Sequence, residues 1–205
     1  LKRLQCIECI EIGKMQWQKI DVRLGKMYNF IETYKIDPTL CDKLIDYHKK
    51  NKEYKTIGFV GAGVIDKRIK DSTDSSFYNS SNNPHIQLFF KQLSDKLIIY
   101  MEKYKIKENV MTDVCNNIQH YDPKAGYPFL HYERAQDCKS RQLVYMLYLN
   151  TVTDKGGTRF PYQKITTPAT KGNLIIWPAE FTHPHHGIIS KTQEKYIATG
   201  WFNIL

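Results

Sequence analysis

Side chains that could share a metal ion stand close together in the last third of this 205-residue sequence. His131 and Glu133 are two residues apart. In an extended segment, side chains at i and i+2 point to one face, so an imidazole and a carboxylate would be offered side by side. A third donor has to come from elsewhere, and the cluster His183, His185 and His186 can supply it. Two imidazoles and one carboxylate on one face of an ion leave its remaining positions open to small molecules. Lys195 follows His185 by ten residues. One straight strand would carry it about 33 Å away. Ser190 to Gln193 is polar and turn-prone, so the chain is expected to fold back and set Lys195 on a neighbouring strand. A buried ammonium needs an anionic partner, and a small dicarboxylate would provide one.

Each feature has a plainer reading when taken alone. A histidine near a glutamate is common in folded cores. A histidine tract after Trp177-Pro178 can be a turn or a surface metal scavenger. A single lysine in a lysine-rich tail is by default at the surface. Of the three clustered histidines, His183 shares a strand face with His185, whereas His186 points the other way.

The elements that must hold these groups are announced by periodicity and caps. Met27 to Ile36 suits a first strand. Asp37-Pro38 then reads as helix cap and first turn, followed by Leu40, Cys41, Leu44, Ile45 and His48 at helical spacing, which predicts a helix over about Thr39 to Lys52. Ile57 to Val64, with three glycines, reads as a short strand or tight loop. Asp71 to Asn83 is dominated by serine, asparagine and aspartate, and is expected to be a mobile polar loop that could close over substrate. Asn83-Pro84 repeats the capping device. The stripe Ile86, Phe89, Phe90, Leu93, Leu97, Tyr100, Met101 and Tyr104 predicts a long helix ending near Lys105.

After Asn109 the period changes. Thr112 to Tyr121, Gly126 to Glu133, Arg141 to Asn150, Gly157 to Tyr162, Asn173 to Trp177, His185 to Ile189 and Lys195 to Leu205 are short β-prone runs between turn signals. Arg141 to Asn150 is apolar on both faces, the pattern of a strand buried on both sides. The fold class expected is α+β, with helices buttressing a β-sandwich or jelly roll. One domain is expected over 1–205: an N-terminal extension (1–26), helical support (27–110) and a core carrying the metal site (111–205).

Composition narrows the surroundings. Thirty basic against 21 acidic residues give a net charge of +9, which would suit nucleic acid. The lysines are scattered from Lys2 to Lys195 rather than gathered in one aromatic-interleaved patch, so a solvated basic surface is the favoured reading. No apolar run approaches the ~20 residues of a membrane span. The chain begins at Leu1, and its first residues lack a secretory cleavage pattern. Five irregularly spaced cysteines predict reduced thiols in a cytoplasmic setting, with Cys6 and Cys9 an incidental pair.

Several linked motifs from Gln119 to Phe202 carry a family resemblance. They are Tyr121-Asp122-Pro123, Gly126-Tyr127, His131-Tyr132-Glu133, Tyr148-Leu149-Asn150, Gly156-Gly157-Thr158-Arg159-Phe160, Trp177-Pro178-Ala179, and His185-His186-Gly187 through Lys195 to Phe202. In this order they resemble the prolyl 4-hydroxylase branch of the 2-oxoglutarate and Fe(II)-dependent oxygenases, of the short bacterial and phage type. Upstream the likeness is weaker, resting on Asp37-Pro38, Cys41-Asp42 and Lys70 to Asp74. The resemblance implies a double-stranded β-helix (jelly roll). It implies His131, Glu133 and His185 as iron ligands, and Lys195 as anchor for the distal carboxylate of 2-oxoglutarate beside the hydroxyls of Tyr121 and Thr158. Arg141 and Tyr127 resemble substrate-facing positions, and Tyr132, Tyr145, Tyr148 and Trp201 could line the pocket. Fe(II), 2-oxoglutarate and O2, with ascorbate as reductant, are the implied cofactors and co-substrates. Glu133 stands where animal and plant prolyl hydroxylases have aspartate.

The activity so implied is hydroxylation of a prolyl residue in a peptide or protein. Two other readings stay open on the sequence. The same cofactors could act on a nucleobase or a free amino acid, or the chain could be a non-catalytic β-sandwich whose histidines hold zinc.

Overall fold

The computed structural model describes residues 28–51, 55–61 and 63–205. The Cys6/Cys9 pair and the extension 1–26 lie outside the described residues. Eleven strands and two α-helices make up the described fold. The strands are β1 (Glu32–Lys35), β2 (Lys55–Ile57), β3 (Thr73–Tyr78), β4 (Val110–Thr112), β5 (Cys115–Tyr121), β6 (Arg141–Tyr148), β7 (Thr158–Phe160), β8 (Ile165–Thr167), β9 (Asn173–Pro178), β10 (His186–Gly187) and β11 (Lys195–Ile204). The helices are α1 (Pro38–Lys50) and α2 (Pro84–Tyr104).

Eight strands form one large sheet, ordered β1-β9-β6-β11-β5-β3-β2 with β4 also paired to β11, and β10-β7-β8 form a smaller sheet. The pairings are antiparallel. This is the α+β arrangement expected. The segment 27–110 adds three strands to its two helices, since β1 pairs with β9 and β3 with β5.

Both helices start as the sequence predicts. The Asp37 carboxylate accepts from the Thr39 amide at 2.8 Å, and the Asn83 side chain accepts from the amides of His85 and Ile86, each ahead of a proline that needs no donor there. Lys105 ends α2 in the left-handed conformation. The helices bury Leu40, Leu44, Ile86, Phe89, Leu93 and Tyr100 against one face of the large sheet. Each such aliphatic or Phe side chain contributes about 1.5–3 kcal/mol.

Strand β6 shows how one sheet serves two layers. Leu143, Tyr145 and Leu147 join the helix-side core, while Val144, Met146 and Tyr148 join a second core with Phe160, Ile175 and Trp177 on the opposite face. Strand β11 alternates likewise. Tyr196, Ala198 and Phe202 face the helices, which leaves Lys195, Ile197, Thr199 and Trp201 for the other side.

Two expectations are corrected. Asp71 to Asn83 is not a mobile polar loop: β3 runs through it and pairs with β5 over six residues, from Thr73 to Tyr78. Ser72, Asp74 and Ser75 are buried within it because each finds a partner. Ser75 Oγ is 2.8 Å from His48 Nδ1, and Asp74 accepts from Lys70 at 2.8 Å and from Ser72 at 2.7 Å. Gly126 to Glu133 is not a strand either. Only His131 makes a bridge there, to His185, and the rest is turn and coil.

Candidate metal and dicarboxylate site

Backbone bonds, not a regular strand, bring His131 and Glu133 into one place. The His131 and His185 amides and carbonyls bond each other at 3.0 and 2.9 Å, and the Glu133 amide donates to Ala179 O at 3.1 Å. The imidazoles thereby lie side by side, ring centroids 4.5 Å apart. His131 Nε2 and His185 Nε2 are each 3.5 Å from Glu133 Oε1. The three residues form a group whose donor atoms all lie within 4.8 Å of one another, so they could hold one ion.

The donor chemistry fits a divalent transition metal. His131 Nδ1 is 2.8 Å from Phe129 O and His185 Nδ1 is 3.1 Å from His183 O. A carbonyl only accepts, so both Nδ1 atoms carry a proton, which leaves both Nε2 atoms, on the Glu133 side, as the positions an ion would take. Burial raises the Glu133 carboxyl, but hydrogen bonds and charge from His131 and His185 outweigh it and hold the group well below the usual carboxylate range. His183 is engaged elsewhere, with Nε2 2.9 Å from Asn29 O and Nδ1 2.9 Å from Thr182 Oγ1. His186 Nδ1 lies 3.4 Å from Gly187 O.

His131, Glu133 and His185 line a cavity of about 310 Å³ that Lys195, Tyr121, Thr158, Tyr127 and Arg141 also line. Lys195 is 7% exposed, and its ammonium donates to Gly156 O at 3.3 Å. Among the described residues no carboxylate lies within ion-pair distance of it, and burial lowers its pKa to about 8. A buried cation without a counter-ion, in the same cavity as a metal-ligand set, fits a small dicarboxylate.

The remaining side chains have definite neighbours. The Tyr121 hydroxyl donates to Gln119 Oε1 at 2.7 Å, and burial raises its pKa well above the ordinary value, so it stays protonated. Thr158 Oγ1 is 2.8 Å from the Tyr148 hydroxyl. The Tyr127 ring stacks on His131 at 3.9 Å between centroids and 14° between planes. Tyr132 and Trp201 line the cavity, as expected, but Tyr145 lies on the helix side of β6 and Tyr148 is buried in the second core.

Two contacts escaped sequence reasoning. Trp201 Nε1 donates to Glu133 Oε2 at 3.0 Å, and the Arg141 guanidinium carbon lies 3.6 Å from the centroid of the Trp201 ring. The even separation of Trp201 from Lys195 was the available signal, because it puts both on one face of β11. The buried Lys70–Asp74 pair also lines the cavity, and nothing in its local sequence announced it.

Residues 116–203 match the family model described as the 2OG-Fe(II) oxygenase superfamily. None of the curated protein sequences matches this chain. Among solved structures, a viral collagen prolyl hydroxylase from Paramecium Bursaria Chlorella virus-1, in complex with 2OG, is similar at TM-score 0.66 and 20% identity, covering 90% of this chain and 99% of that one. A prolyl-4-hydroxylase from Pseudomonas putida is similar at TM-score 0.65 and 16% identity, with 86% and 93% covered. A Trichoplax adhaerens prolyl hydroxylase, bound to a peptide fragment of the hypoxia inducible factor oxygen degradation domain, is similar at TM-score 0.70 and 12% identity, with 86% and 84% covered. At these identities the structural likeness establishes the fold.

Proposed function

We propose that the chain is a member of the 2OG-Fe(II) oxygenase superfamily, whose model it matches over residues 116–203, and that it hydroxylates a prolyl residue in a peptide or protein. We read His131, Glu133 and His185 as the iron ligands and Lys195 as the anchor of the distal carboxylate of 2-oxoglutarate. Tyr121 and Thr158 stand beside that anchor, and residues 111–205 are the core of a single domain. One observation carries the assignment: Nε2 of His131 and of His185 lie equally, 3.5 Å, from one oxygen of Glu133, in the cavity that also holds Lys195, which has no carboxylate partner among the described residues.

Iron held by His131, Glu133 and His185, with 2-oxoglutarate and dioxygen as co-substrates, would supply the oxidation that converts a C–H bond to a hydroxyl. The protein's part is orientation and exclusion of water. Phe129 and His183 carbonyls fix the imidazole tautomers, and Tyr127 covers one face of His131. Lys195 fixes the far end of the co-substrate, and so aims its near end. A peptide is favoured because the similar structures are prolyl hydroxylases, one with a peptide bound.

An anaerobic titration with Fe(II) and 2-oxoglutarate tests the site, through the weak visible charge-transfer band of the chelate. The band should form with the wild type and be lost in His131→Ala. Mass analysis of proline-rich peptides and single-stranded oligonucleotides after aerobic turnover tests the substrate. Addition of one oxygen to the peptide supports the proposal; addition only to the oligonucleotide overturns the peptide reading.

A further inference from the structure

The two oxygens of Glu133 face different partners. Oε1 faces Nε2 of His131 and His185. Oε2 accepts from the Trp201 indole N–H at 3.0 Å and lies 3.8 Å from Arg141 Nη1. Arg141 is itself tied down, because Nη1 donates to the Glu133 backbone carbonyl at 3.1 Å and the guanidinium covers the Trp201 ring. Trp201 is carried by β11, which is paired on both sides, to β6 and to β5. The donors to Oε2 are therefore fixed to the sheet, not to a loop.

A carboxylate can bind an ion through one oxygen or through both. Donors aimed at one oxygen hold its lone pairs and fix the plane of the group. The distinction matters here because of the number of positions on an octahedral ion. Two imidazoles, one carboxylate oxygen and a two-point 2-oxoglutarate leave one position; chelation by both oxygens of Glu133 leaves none.

We propose that Trp201, with Arg141 stacked on it, is a positioning residue that holds Glu133 to the metal through Oε1 alone and so keeps one coordination position open for dioxygen. This rests on the ligand assignment above. The Trp201 N–H occupies Oε2 before the ion arrives, and Arg141 adds positive charge on the same side. Loss of the indole donor is enough to let the second oxygen swing inward, since Glu133 has three side-chain torsions to turn it.

Mn(II)-loaded protein saturated with 2-oxoglutarate allows a test, because water-proton relaxation counts the exchangeable waters on the ion. The wild type should show the contribution of one bound water. Trp201→Phe keeps a ring for Arg141 but removes the donor. It should lose most of that contribution, keep or tighten its hold on Mn(II), and slow dioxygen consumption by the Fe(II) protein about tenfold. In a Glu133→Asp background the shorter arm does not reach the indole, so the same substitution should change relaxation little. Arg141→Leu, at the first position of β6, should shift relaxation in the same direction by less, and serves if Trp201→Phe does not fold. Full retention of the water in a folded Trp201→Phe overturns the proposal, as does equal loss in the Glu133→Asp background. A wild-type protein that binds no Mn(II) overturns the ligand assignment first, and is told apart because no relaxation change appears in any variant.

Discussion

The Lys195 ammonium lies 4.8 Å from the centroid of the Tyr121 ring, and the two residues stand opposite each other on the paired strands β11 and β5. An aromatic face steadies a cation without neutralising it. The charge therefore stays available for an anion, and burial is what lowers its pKa to about 8.

Co-substrate affinity should follow that ionisation. With Lys195 in its proposed anchoring role the ammonium is the binding form, so the affinity of the Mn(II) protein for 2-oxoglutarate should be level below pH 8 and fall about tenfold per pH unit above it. Lys195→Met should weaken binding about 30-fold or more and flatten the profile, while Mn(II) binding is spared. Calorimetric titration across pH measures both. Equal loss of metal and 2-oxoglutarate would make Lys195 a structural residue.

His48 should give the fold an acid-sensitive step. It is 1% exposed, and burial, then the charges of Lys55, His120 and Lys49, lower its pKa from 6.5 to about 4. The unfolded chain takes up this proton near 6.5 and the folded chain only near 4. Its contribution is therefore intact above pH 6.5 and is lost as pH falls toward 4, a loss of about 3 kcal/mol. Urea denaturation of the wild type and His48→Gln over that range should show a shallower slope in the variant.

Breaking the Lys70–Asp74 pair should cost more than replacing it. Both side chains are buried, 7% and 5% exposed, and 2.8 Å apart. Asp74→Ala leaves a buried ammonium alone and should destabilise the protein by about 3–5 kcal/mol, whereas the double variant Lys70→Met/Asp74→Leu should lose much less. Chemical denaturation of both variants decides it.

Gly200 should not accept a side chain. A Cβ there would stand 2.0 Å from Asn116 Oδ1 and 2.7 Å from the Tyr145 hydroxyl, which are bonded to each other at 2.7 Å in the core. Gly200→Ala should cost about 1–3 kcal/mol and lower the melting temperature.

How far the sequence discloses this architecture depends on where the determining partners lie. The caps at Asp37 and Asn83 were legible because cap, proline and helix face are neighbours in the chain. Strand β6 was legible because both of its faces are apolar. Strand β3 was not, because Asp74 and Ser75 are buried only by virtue of Lys70 and His48, and composition alone says loop. The pair His131 and Glu133 was found from a strand period that does not apply there; their proximity comes from backbone bonds to His185 and Ala179. The partner of Glu133 Oε2 is a tryptophan 68 residues away: the period of β11 puts Trp201 on the cavity face, but only the tertiary fold brings it to Glu133.

Strand β11 bears Lys195 at one end of the cavity and Trp201 nearer the other, with Ile197 and Thr199 between them. It acts as a caliper whose jaws are set by the rise per residue. A single inserted residue would turn one jaw to the opposite side of the sheet. Loops at the mouth can thus vary without moving either jaw, because Lys195 and Trp201 take their places from the pairing of β11 with β5 and β6.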